Sequence, residues 1–166
     1  MYQAGETVFY GTEGVCRIDE IREMKVGGET AEYYVLRPIY REGTTVFVPL
    51  KNELLIARMR PLLTAKQIDK MIDEVNEEDK DWIEDASERK AEFQRILLSA
   101  DRRELLSMVR VLYLRRQNLM TCGKRLRAND EQMLRDAEKL LDEEFSVVLK
   151  IKPREVPEYI RGRVKE

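Results

Sequence analysis

Trp82 is the only tryptophan in the chain, and it stands where the charge of the sequence inverts. From Asp73 to Glu88 nine carboxylates face Lys80 alone, a local charge of −8. From Arg89 to Arg127 eleven cations face Glu92, Asp101 and Glu104, a local charge of +8. An indole beside guanidinium groups has a specific chemistry open to it: the ring stacks on a nucleobase or wedges into an opened step while cations hold phosphates. The field near such a block follows local charge, so the whole-chain value of −2 is compatible with a polyanion partner. Two plainer readings stand beside this one. A lone tryptophan is most often a packing anchor, and helical arginines commonly solvate a face or pair with acids one turn away.

Other chemistry is sparse. The chain has no histidine, so the commonest general base is missing, and no serine or cysteine sits in a nucleophile motif. Cys16 and Cys122 lie far apart and form no CxxC, which leaves a zinc site short of ligands; two reduced thiols, no metal and no cofactor are expected. Gly11-Thr-Glu-Gly14 is a turn without the G-K-T of a phosphate loop. The carboxylates read as solvated surface, so a non-enzyme without a small-molecule substrate is expected. No apolar run approaches the roughly 20 residues that cross a bilayer, and the first residues lack the basic and apolar regions of a signal peptide. A cytoplasmic protein with no membrane partner is the expectation.

The elements that must position these residues divide at Pro61. Six of the eight glycines precede it, with β-prone segments between them, and beyond it the sequence reads as helix. Strands are expected at Thr7 to Tyr10, Val15 to Ile21 with a bulge at the phase slip near Ile21, Ala31 to Ile39, and Thr44 to Pro49. The third is apolar on both faces and reads as central, whereas Pro49 confines the last to a strand end or an edge. Val26-Gly-Gly-Glu29 is a hairpin signal. Helix starts are expected at Thr64 with Gln67, Asp81 with Glu84, Asp101 with Glu104, and Asn129 with Gln132. That spacing places Trp82 in a first helical turn. Pro153 and Pro157 allow a short turn or new helix, with Tyr159 and Ile160 docking back. The fold class is α+β: a small bent sheet or partial barrel, then a helical bundle, expected as domains 1–60 and 61–166.

The residues Val8-Phe-Tyr-Gly-Thr-Glu-Gly-Val-Cys-Arg-Ile18, Tyr33-Tyr-Val-Leu36, Thr45-Val-Phe-Val-Pro49, Asn52 and Arg60-Pro61-Leu62 resemble the RNA-polymerase-interacting domain of the CarD-like bacterial transcription regulators, a module shared with the transcription-repair coupling factor. Downstream, Trp82, Arg89-Lys90, Leu112-Tyr-Leu-Arg-Arg116, Met133-Leu and Ala137-Glu-Lys-Leu-Leu141 are similar to that family's helical DNA-binding domain.

The resemblance implies a Tudor-like β-barrel that pairs a strand, here Thr44 to Pro49, with the RNA polymerase β subunit. Val46, Phe47, Val48 and Pro49 are the candidate contacts. Phe47 stands where the family often carries arginine, so a more apolar contact or help from Arg22 or Lys25 is implied. It further implies that Trp82 enters the minor groove of promoter DNA at the upstream edge of the melted bubble, with Arg89 and Lys90 on phosphates. Arg115, Arg116, Lys124, Arg125 and Arg127 extend the cationic surface; alternatively, arginines ending a helix complement its dipole. The expected protein is a monomeric, non-enzymatic adaptor that stabilises the open complex without strong sequence specificity. The alternative is a protein-only interaction module whose helices bind another protein or self-associate.

Overall fold

The computed structural model describes residues 1–163 and divides the chain into two compact units, Met1–Leu62 and Leu63–Glu166. The first unit is a five-stranded antiparallel sheet. Strand β1 (Thr7–Tyr10) leads through a single 3₁₀ turn at Gly11–Glu13 into β2 (Gly14–Val26). A two-residue turn returns the chain as β3 (Glu29–Pro38). Gly27 and Gly28 hold φ of +61° and +83°, the pair of left-handed corners that a tight hairpin matched to strand twist requires. Strand β4 (Val46–Pro49), one helical turn α1 (Glu53–Ile56) and β5 (Met59–Pro61) complete the unit.

Spatial order is β4-β3-β2-β1-β5, with β4 and β5 as the two end strands of the sheet. The register of β2 against β3 shifts between Ile18 and Glu20, two residues ahead of the expected bulge at Ile21. Val8, Tyr10, Cys16, Ile18, Tyr34, Leu36, Val48 and Met59 form one buried cluster, against which Tyr2, Leu50, Leu55 and Ile56 pack. Tyr34, Val35 and Leu36 are all buried, as a central strand apolar on both faces requires.

The second unit is helical: α2 (Ala65–Asn76), α3 (Ala86–Ser99), α4 (Arg102–Thr121), α5 (Ala128–Leu149) and, after a 3₁₀ turn at Pro153–Glu155, α6 (Val156–Gly162). Helix α5 contacts α2, α3, α4 and α6, and its Leu134, Ala137, Leu141 and Phe145 are almost wholly buried. Thr64 and Gln67 make the full reciprocal capping box, and Asp101 accepts the Glu104 amide at 3.0 Å.

Two expected caps are displaced. Helix α3 is capped by Asp85, which accepts the Glu88 amide at 2.9 Å, so Trp82 lies in the irregular segment before the helix rather than in its first turn. Helix α5 begins at Ala128 with Arg127 at its N-cap and no side-chain cap, which leaves Asn129 inside the helix. At the far end Tyr159 bonds Asp69 and the Arg163 guanidinium clasps Asp73 at 2.8 and 3.1 Å, docking α6 on α2. Among the described residues no helix is long and apolar enough to cross a membrane.

Candidate nucleic-acid interface

Helix α3 turns Arg89, Phe93 and Ile96 to one buried face, the i, i+4, i+7 spacing of an inward stripe. Phe93 meets Trp82 edge-on, with ring centroids 6.3 Å apart and planes at 62°. Arg89 lies over the Trp82 ring, its guanidinium carbon 4.6 Å from the centroid, and Arg115 approaches from α4 to 5.3 Å. The indole is thus half-buried, held by one aromatic edge and two guanidinium planes.

Arg89 is not a surface cation. It is 5% exposed, and its Nε and Nη2 each donate to Asp130 at 3.0 Å in a bidentate pair. Its Nη1 donates to the Ile83 and Glu84 carbonyls at 2.9 and 3.3 Å. One side chain therefore ties the Trp82-bearing segment to α3 and α5. The expectation that Arg89 holds a DNA phosphate is corrected on this ground: the side chain is buried and four of its N–H groups donate inside the unit, so its role is to position Trp82.

The remaining cations converge. Trp82, Arg115, Lys124, Arg125 and Arg127, together with the Arg89–Asp130 pair and Glu84, line a cleft of about 270 Å³. Lys124, Arg125 and Arg127 come from the α4–α5 connection and are exposed, and no carboxylate among the described residues pairs with them or with Arg115. Arg127 sits at the start of α5, where the helix dipole repels a cation, so the dipole does not account for its being there. Two candidates stand apart from the cleft. Lys90 is exposed on α3, and Arg116 lies over Tyr113 at 4.6 Å with Glu131 3.8 Å away.

Part of the charge inversion closes on itself. Arg95 pairs with Glu92 one turn away, as the plainer reading of helical arginines had it, whereas Arg95 with Glu104 and Arg103 with Glu74 and Glu78 pair between separate elements. Asp130 was not singled out from the sequence, and it stands 41 residues from its partner Arg89. No local pattern marks such a pair.

In the first unit β4 pairs with β3 along one side, and no strand occupies its other side. Phe47 is 42% exposed, Val46 and Pro49 are half-buried, and Val48 is wholly buried in the core. Alternation along the strand sends Val48 inward, so its side chain is removed from the candidate contacts. Registers align Arg22, Tyr33 and Pro49 in one row and Glu20, Val35 and Phe47 in the next, which puts Arg22 on the face of Phe47. Lys25 pairs with Thr30, beyond the end of β4, and points to the opposite face. Arg22 forms an ion pair with Glu20.

These observations define an α+β protein of two units, an open-edged sheet and a helical unit that gathers cations around a tryptophan. Residues 2–62 match the model of the CarD-like/TRCF RID domain, so the first unit belongs to that family of RNA-polymerase-interacting domains. That match supports an interaction with RNA polymerase and a transcription-related role for this unit. No curated protein matches the chain.

Proposed function

We propose that the protein is a non-enzymatic adaptor that binds the RNA polymerase β subunit through β4 and rests its helical unit on upstream promoter DNA, stabilising the open complex. The convergence of Trp82, Arg115, Lys124, Arg125 and Arg127 on one cleft carries the DNA half of this reading. Strand addition at the free side of β4 supplies main-chain hydrogen bonds, and Phe47 with Arg22 supplies side-chain selectivity.

In this reading the indole works by its exposed edge, since guanidinium groups and Phe93 already engage the ring. A wedge costs a few kcal/mol in unstacking and less where the duplex is already distorted, so contact favours the open over the closed promoter without reading bases. With Lys90 added, four or five cations on phosphates give a slope of log K against log salt of about −4 to −5. Such binding is weak by itself and gains from tethering to polymerase.

Open-complex lifetime tests the proposal. Trp82→Ala is expected to shorten it while the mutant stays folded; an unchanged lifetime defeats the wedge. Retention on promoter DNA that is salt-insensitive, and unaffected by replacing Lys124 and Arg125 with alanine, would favour a protein-only interaction module instead.

A further inference from the structure

The helical unit holds a second cavity, of about 300 Å³, that the polymerase and DNA reading does not use. Its walls come from α2, α4, α5 and α6, and its apolar lining includes Val75, Leu106, Val109, Leu141, Pro157 and Ile160. That size lies at the lower end for small-ligand sites, and a largely apolar lining with a few convergent polar groups is their usual make-up.

Two polar atoms here are unsatisfied. The Tyr113 hydroxyl, also in the lining, bonds to the Glu138 carboxylate, but Glu138 Oε1 and Asn76 Nδ2 are buried and neither atom has a hydrogen-bond partner among the described residues. A buried acceptor and a buried donor left unpaired each carry a desolvation penalty, so a molecule that offers a donor to one and an acceptor to the other recovers it. Glu138 and Asp142 stand one turn apart on α5, both in the lining. Burial, then Glu138, then Glu143 push the Asp142 carboxyl up to about 7, the behaviour of an acid pair short of a nearby countercharge. Of the cations in the lining, Arg110 is already engaged by the Asn76 carbonyl at 2.8 Å, and Arg161 is exposed.

We propose that this cavity is a binding site for a small apolar amine that carries a hydroxyl group. The ammonium donates to Glu138 Oε1, the hydroxyl oxygen accepts from Asn76 Nδ2, and the hydrocarbon body covers the leucine and valine walls. The unpaired Glu138 oxygen favours a cationic donor over an anion at that end of the cavity.

The test uses the full-length protein and L-phenylalaninol as probe, followed by amide and methyl chemical shifts. 3-Phenylpropan-1-ol, which lacks the amine, and 3-phenylpropionate, which is anionic, serve as controls. Saturable shifts confined to the cavity walls are expected for the amine. Its affinity should exceed that of the alcohol about tenfold, as one charge-assisted hydrogen bond supplies, with no saturable binding of the acid. Glu138→Gln should erase the difference between amine and alcohol. Both Glu138→Gln and Asn76→Leu are checked for unchanged circular dichroism, and Asn76→Leu should weaken the amine and the alcohol alike. Equal affinities for amine and alcohol, shifts spread over the surface, or an amine preference that survives in folded Glu138→Gln would each overturn the proposal. Because the cavity excludes Trp82 and the cationic cleft, DNA retention should be the same with and without probe.

Discussion

Arg89 and Asp130 form a bidentate ion pair at 3.0 Å in the interior of the helical unit, and the same guanidinium lies 4.6 Å from the centre of the Trp82 ring. The pair links two helices and an irregular segment, so the ring's orientation is set by residues that do not themselves reach solvent. A buried ion pair contributes modestly against an apolar replacement, but its loss from one side strands a charge.

Arg89→Ala is therefore expected to cost about 3–5 kcal/mol in urea unfolding, with a red shift of Trp82 emission as the ring loses its cover. The double variant Arg89→Met with Asp130→Leu should recover most of that stability, since neither charge remains. A loss below about 1 kcal/mol for the single variant, the range of an exposed pair, would mean the pair is not closed in solution.

Arg127 offers a test in which stability and binding move in opposite directions. Replacing this N-cap arginine of α5 by aspartate supplies the missing side-chain cap and reverses an unfavourable charge. A gain of roughly 1 kcal/mol in thermal or urea stability is expected, together with weaker promoter DNA retention and a salt slope shallower by about 1. A variant that gained stability with undiminished retention would remove Arg127 from the interface.

Neighbouring residues of β4 should behave unlike each other. Phe47→Asp acts on a side chain 42% exposed and should leave stability within about 0.5 kcal/mol while reducing co-purification with RNA polymerase. Val48→Asp buries an unpaired charge in the core of the sheet and should unfold the unit. Retained co-purification with folded Phe47→Asp would shift the contact to another edge.

Asp142 gives stability a pH dependence of known sign. Its carboxyl titrates near 3.8 in the unfolded chain and at about 7 in the fold, so between those values only the folded state keeps the proton. Stability contributed by this group is present in full below the unfolded value, falls as pH rises through that window, and is level above it. The charged groups around it are Glu138 and Glu143 on its own helix, Arg110 on α4 and Arg161 on α6. Asp142→Asn should thus be more stable than wild type by roughly 1–2 kcal/mol at about pH 8, allowing for screening, with the two converging near pH 4. Parallel stability curves across that range would show the carboxyl to be solvated.

Much of this protein was legible in its local patterns. A glycine pair marked the hairpin at Gly27 and Gly28, Pro49 limited its strand to an end or an edge, and Phe93, Leu112, Leu134 and Phe145, all buried in the fold, fall at helical spacing, because each signal depends on neighbours within a turn or a strand. The Asp81 and Asn129 caps failed for a related reason: Asp85 and Arg127 lie within four residues of them, and short-range propensity does not rank competing starts against tertiary packing.

What sequence alone determined was the order of elements, the division into a sheet and a helical unit, and the concentration of cations after Trp82. Which cations face outward was decided only by the fold. Arg89 and Lys90 are adjacent in the chain, yet a rotation of about 100° along α3 turns one inward to Asp130 and leaves the other in solvent. Desolvating a guanidinium is tolerable only where a carboxylate meets it, and that carboxylate arrives from a helix that local sequence cannot see.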